Sequence, residues 1–148
     1  MTKSITIAVD AMGGENSPKK IIEAIELYHQ ENKDIVFKIF GNKSIIEKII
    51  LNKSIDKKNY ELIHTEEKIE NEDSPLFAAK RGKNTSMWLA IESVKNKLSD
   101  IVISAGNTGA LFVIAKLNLN MIENIDKPAL SGLWPNKTGM NVVLDLGA

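Results

Sequence analysis

Ile5-Thr6-Ile7-Ala8-Val9-Asp10-Ala11-Met12-Gly13-Gly14 is an apolar, β-branched run that ends on an aspartate and a glycine pair. Its first six residues read as a buried strand, and the glycines as the turn that leaves it. Ser17-Pro18 follows, which predicts an N-cap and a proline at the first helical position. The helix then runs to about Asn32, with Ile21, Ile25 and Tyr28, flanked by Ile22 and Ala24, on one face at helical spacing.

The same alternation continues outward from this unit. Residues 35–40 have the apolar density of a second strand that exits at Gly41-Asn42. Ser44 and Glu47 form a capping-box pattern ahead of Ile45, Ile46, Ile49 and Ile50, which predicts a second helix. Residues 60–64 read as a third strand, and residues 65–73 as a stretch too charged for the core. Ser74-Pro75 repeats the cap-then-proline signal and opens a short helix through Arg81, broken at Gly82. Thr85 or Ser86 caps another helix, carrying Met87, Leu89, Ala90, Ile91 and Val94. Residues 101–104 form the fourth strand and residues 108–117 the next helix. Two last strands, 129–133 and 142–146, flank a turn at 136–139. Strands and helices at this spacing indicate an α/β domain around a mostly parallel sheet.

Bulk properties narrow the function. A chain of 148 residues suits one domain able to bury a core without disulfides or metal. Nineteen basic and nineteen acidic side chains cancel, so no global field favours nucleic acid or an anionic membrane. Zero cysteines exclude disulfides, thiolate catalysis and sulfur-ligated zinc. His29 and His64 are too separated to suggest a metal site, so no metal and no cofactor are expected. Met1-Thr2-Lys3-Ser4 leads into no signal-peptide-like apolar region, and no apolar stretch approaches the roughly 20 residues of a membrane-spanning helix. The chain reads as soluble and cytoplasmic.

Chemistry concentrates at two glycine turns, residues 10–14 and Ser104-Ala105-Gly106-Asn107-Thr108-Gly109, each leading into a helix. Helix starts leave about four N–H groups unpaired and carry roughly half a positive charge, so phosphate or another oxyanion is the natural ligand class. In a wound sheet both turns lie beyond the carboxyl ends of strands, where ligands bind. Gly13-Gly14 permits positive φ and close backbone approach, although an ordinary tight turn explains the pair better when it is taken alone. It is neither a dinucleotide-binding nor a P-loop fingerprint, so it gives no direct support for NAD or ATP. Asp10 either orients loop N–H groups or is simply solvated, and Glu15 reads as a surface residue. The second turn is the stronger signal, with Gly106 and Gly109 beside the Asn107 amide and the Thr108 hydroxyl, although Asn107 or Thr108 also suits a helix cap. Lys80, Arg81 and Lys83 place cations beside Asn84, Thr85 and Ser86. Arg81 is the only arginine in a chain that otherwise uses lysine, which favours bidentate oxyanion or carboxylate binding over a merely solvated turn. Trp88 and Trp134 read as packing residues.

Asp10-Ala-Met-Gly-Gly14 with Pro18, Asp73-Ser74-Pro75, Arg81 through Lys83 to Ser86-Met87, Ser104 through Leu111, Ile125 through Ala129, and Leu144-Asp145-Leu146-Gly147-Ala148 together resemble the phosphate acyltransferases of the PlsX type. The resemblance implies a three-layer α/β/α fold of the isocitrate dehydrogenase-like group. It also implies synthesis of acyl phosphate from acyl-acyl carrier protein and inorganic phosphate for phospholipid synthesis, in a homodimer that associates peripherally with membrane. Glu15, Gly82 and Thr85 depart from the family's usual aspartate, basic residue and serine. Members of that family run to more than twice this length, so the chain reads as a single α/β domain, the N-terminal portion of a longer architecture incomplete at its C-terminus. Phosphate is assigned to the N–H groups of Gly13, Gly14 and Thr108, with Asp10, Ser86, Gly106 and Gly109 in the site. Arg81 and Lys83 are the countercharges, Lys83 also being placed in catalysis, and Asn107 is the donor to the tetrahedral oxyanion. This reading requires Gly13 and Asn107 to share one cleft. The alternatives are a phosphotransacetylase-like enzyme using coenzyme A and a non-catalytic fragment that only binds or dimerises.

Overall fold

The computed structural model describes residues 4–146. Met1, Thr2 and Lys3 of the N-terminal reading, and Gly147 and Ala148 of the last motif, lie outside the described residues. The elements are β1 (Thr6–Asp10), α1 (Lys19–Glu31), β2 (Val36–Gly41), α2 (Lys43–Ile50), β3 (Tyr60–His64), α3 (Pro75–Arg81), α4 (Ser86–Lys95), β4 (Ile101–Ser104), α5 (Thr108–Asn118), β5 (Ser131–Asn136) and β6 (Gly139–Leu144). A short 3-10 turn at Lys57–Asn59 precedes β3.

β1 to β4 form one parallel sheet in the order β3-β2-β1-β4. Period-2 alternation along β1 divides two apolar layers. Ile7 and Val9 face one side, where Phe37 and Ile39 of β2 join Ile22 and Ile25 of α1 and Ile46 and Ile50 of α2. Ala8 faces the other side, against Phe40 and Ala90 of α4. Beyond it Met87, Trp88 and Ile91 of α4 pack with Ala78 and Ala79 of α3 and Ala110 and Ile114 of α5. The expected α/β class with a mostly parallel sheet, helices on both faces, is therefore the observed one. Winding reverses at β1, because β2 and β3 lie to one side of it and β4 to the other. In such sheets this switch point is where a crevice opens.

Several local expectations shift. The buried face of α1 is Ile22, Ile25 and His29, one position round from the predicted face, and Tyr28 is exposed. His29 completes the face although it is polar, its Nε2 accepting the Asp56 N–H at 3.4 Å. Ser17 does not cap α1, since Pro18 occupies that position and Ser17 Oγ donates to the Gly13 carbonyl. α2 is capped by Asn42, whose side chain accepts the Ile45 N–H at 3.2 Å, and not by Ser44. Ser74 and Thr85 cap α3 and α4 as read, accepting from Phe77 and Trp88. Within the charged stretch 65–73, Ile69 is nevertheless buried in the α3–α4–α5 layer. The last two strands start and end elsewhere than read: they pair antiparallel as a hairpin, Asn136 opposite Gly139. Trp134 on it is 61% exposed, so it does not pack as expected, unlike the buried Trp88. Among the described residues no helix is long and apolar enough to cross a membrane.

Glu26 accepts the Ser54 N–H at 2.8 Å and lies 3.0 Å from Lys53 Nζ. The Ser54 N–H first, then Lys53, hold its carboxyl below the usual carboxylate range. A depressed folded-state value stabilises the fold above the unfolded pKa and is lost as pH falls through the folded one. Glu26→Gln is therefore expected to lower the urea midpoint at about pH 7, with the difference from the parent chain closing as pH falls through the folded-state value. Ile39→Ala, in a fully buried position of a central strand, is expected to cost about 3 kcal/mol in the same assay.

Candidate anion-binding site

Register brings the two glycine turns together. Asp10 is the last residue of β1 and pairs with Ser104, the last of β4, so the loops that follow leave the same sheet edge side by side. They pack closely because glycine lines the contact. A Cβ on Gly13 would lie 2.5 Å from Asp10 Oδ2 and 2.9 Å from the Gly106 nitrogen. Gly14 adopts φ of +85°, and a Cβ there would collide with the Ala105 carbonyl oxygen. Both glycines thus have a packing reason, and Gly13 is buried under the second loop.

The Asp10 carboxylate, 1% exposed, is the common anchor of these loops. Its Oδ1 accepts from Ser86 Oγ at 2.6 Å and from the Met12 N–H at 3.2 Å. Its Oδ2 accepts from Ser104 Oγ at 2.7 Å, and Ser104 Oγ in turn accepts the Gly106 N–H at 3.1 Å. Buried carboxylates demand such satisfaction, and this one finds it in neutral donors.

An open cleft of about 540 Å³ lies over these loops, lined by Gly14, Glu15, Lys20, Asn71 and the run from Ala105 to Gly109. Thr108 and Gly109 begin α5, so helix geometry leaves their N–H groups without intrahelical acceptors, at the positive end of the dipole. Gly109 sits against Pro75, where a Cβ would come within 2.6 Å of the proline ring. Asn107 shapes this end: its Oδ1 accepts the Ala110 N–H at 2.9 Å, and its Nδ2 donates to the carbonyls of Asn71 and Asp73 at 3.0 and 2.9 Å. Its amide is thus engaged at both ends, and donation to a ligand oxyanion requires release of the Asn71 and Asp73 bonds.

Of the residues singled out from sequence, Gly14, Gly106, Asn107, Thr108 and Gly109 line the cleft, while Asp10, Gly13 and Ser86 lie beneath it. Arg81 and Lys83 do not line it. The Arg81 guanidinium stacks 4.9 Å from the Phe77 ring centroid and borders a separate cavity with Glu67, Asp73 and Thr85. Lys83 is exposed on the turn before α4. The cation that borders the cleft is Lys20, in the first turn of α1, which the sequence reading passed over. Its signal was its place just after the first glycine turn, hidden among many other lysines.

A parallel sheet with two interlocked glycine turns and an open helix start at its switch point defines the class: a wound α/β protein with a cleft at the carboxyl ends of its strands. The fatty acid synthesis protein family matches residues 5–148, and the chain belongs to that family. Among curated relatives, the phosphate acyltransferase of Pelagibacter ubique is 64% identical over 148 residues, which cover 100% of this chain and 44% of that protein. That of Parvibaculum lavamentivorans is 42% identical over 149 residues, 100% of this chain and 41% of its own. That of Bradyrhizobium diazoefficiens is 39% identical, again over 100% of this chain and 42% of its own. The chain therefore spans about two-fifths of the length of these relatives.

Gly14→Ala is expected to cost about 2 kcal/mol in urea unfolding, from the positive φ and the Ala105 contact together. Gly139→Ala, at φ of +155° with nothing near the added carbon, is expected to cost less, because only the backbone strain remains.

Proposed function

We propose that the cleft holds inorganic phosphate, and that the protein transfers a fatty acyl group from acyl-acyl carrier protein to it, giving acyl phosphate for phospholipid synthesis. The observation that carries this reading is the convergence of the two glycine turns on the open N-terminus of α5, with Lys20 at its rim. Membership of a fatty acid synthesis family and kinship with proteins named phosphate acyltransferase support the same chemistry.

A phosphate oxygen attacks the thioester carbonyl, the C–O bond forms and the C–S bond breaks. The electron pair leaves on sulfur. Thiols ionise near pH ~8.5, so the leaving thiolate needs no strong acid, and phosphate itself is the nucleophile. The protein's part is to hold the dianion at the Thr108 and Gly109 N–H groups and to offset its charge with Lys20. Asn107 remains the candidate for the oxyanion of the tetrahedral intermediate, on release of its amide from the 71–73 segment. Arg81 and Lys83 enter this proposal as cations of the adjoining surface that meets the acyl donor, and Asp10 and Ser86 as supports of the loops. Homodimer formation, a cytoplasmic site of action and peripheral contact with membrane belong to the same proposal. The apolar side chains of Leu133, Trp134, Met140 and Val142, exposed on the hairpin, leave apolar surface available for such contacts.

Titration of the purified chain with inorganic phosphate is expected to shift the Thr108 and Gly109 amide resonances, and Lys20→Ala to weaken binding on the order of tenfold. No shift at those amides overturns the phosphate site. In a protein of the relatives' full length, acyl phosphate should form from acyl-acyl carrier protein; formation from acyl-coenzyme A alone would instead favour the coenzyme A-dependent reading.

A further inference from the structure

One hydroxyl stands between the buried carboxylate and the wall of the cleft. Ser104 Oγ lies 2.7 Å from Asp10 Oδ2 and 3.1 Å from the Gly106 nitrogen. A hydroxyl has one proton and two acceptor sites, whereas an ionised carboxylate only accepts. The Ser104 proton is therefore directed at Asp10, and a lone pair is left facing the Gly106 N–H. The carboxylate cannot swing away, because Ser86 Oγ and the Met12 N–H hold its other oxygen at 2.6 and 3.2 Å. Met12 belongs to the first loop and Gly106 to the second. Both walls of the cleft are thereby referred to one fixed group.

The geometry points to Ser104 as a positioning residue for the bound anion, with Asp10 as the group that orients it. This rests on the phosphate reading of the cleft. The Gly106 N–H is committed to Ser104 and is not offered to a ligand. That bond instead sets the turn through Ala105 and Gly106, and so the direction in which the following Asn107, Thr108 and Gly109 amides face the cleft. Preorganised donors bind an anion without the cost of ordering them first, so loss of the bond weakens affinity although Ser104 itself need touch nothing bound. The pairing also accounts for a serine at the end of β4: its preceding residues are apolar, and a hydroxyl gives to the carboxylate and takes from the amide through a single atom.

Ser104→Ala tests this through phosphate titration and amide hydrogen exchange on the same samples. The expected result is phosphate binding about tenfold weaker, with exchange at Gly106 accelerated about tenfold, as for loss of one partly buried hydrogen bond. Ser104→Thr, which restores the hydroxyl, should recover both. Asp10→Asn is a second probe that keeps the side chain's size: Ser104 can then accept from the new amide while still accepting from Gly106, so slow exchange at Gly106 should survive. If the parent chain binds phosphate and Ser104→Ala binds it equally well, the positioning role is wrong and the site stands. If the parent chain binds none, the phosphate reading fails and the role falls with it.

Discussion

A carboxylate taken out of water must be given donors, and at Asp10 that requirement organises the rim of the sheet. Three donors from three places meet it: Ser86 at the start of α4, Ser104 at the end of β4 and the Met12 amide in the first loop. α4 lies on one face of the sheet and β4 at its edge, so a single side chain ties a layer to a strand and a strand to a loop. Interlocking of the two glycine turns follows, since Gly13 fits only where its missing side chain leaves room for Asp10 Oδ2 and the Gly106 backbone. The glycines serve first as contact surfaces between loops, and the cleft is what remains above them.

Much of the architecture was legible because it rests on local rules. β1, β2 and β4 announce themselves by apolar runs rich in β-branched residues, and α3 and α4 by Ser74-Pro75 and Thr85, whose caps form as read. The misses have tertiary causes. His29 fills an apolar position on α1 because the Asp56 amide meets its ring there, which no hydropathy pattern registers. Asn42 outcompetes Ser44 as a cap because α2 starts directly after β2, leaving Ser44 already inside the helix. The hairpin's bounds follow its turn at 136–139 and the positive φ of Gly139, not its apolar density, and Trp134 consequently faces outward.

The candidate site divides the same way. Both loops could be found from their glycines and their position after strands, and the register of Asp10 with Ser104 places them together. The cations could not. Arg81 drew notice as the lone arginine, yet its guanidinium lies on Phe77 in a neighbouring cavity. Lys20 borders the cleft and looked like any other lysine, because which way the first turn of α1 faces depends on how α1 packs across β1 and β2. Asn107 shows the subtler limit: its suitability as a donor was readable, but not that the backbone of Asn71 and Asp73 would claim that donor.

Among the described residues β4 has a hydrogen-bonded neighbour on one side alone, β1, and half-exposed isoleucines at 101 and 103. Among the described residues, the wall bearing the start of α5 is thus mounted on an outer strand of the sheet, the kind of element that opens at lower free energy than the interior. Occupancy at its carboxyl end would be felt along its whole length, since anything that binds only the closed form shifts the balance by mass action. On the proposed function, guest and scaffold would in this sense be one thermodynamic unit, a bound anion serving as a removable keystone for the margin of the sheet.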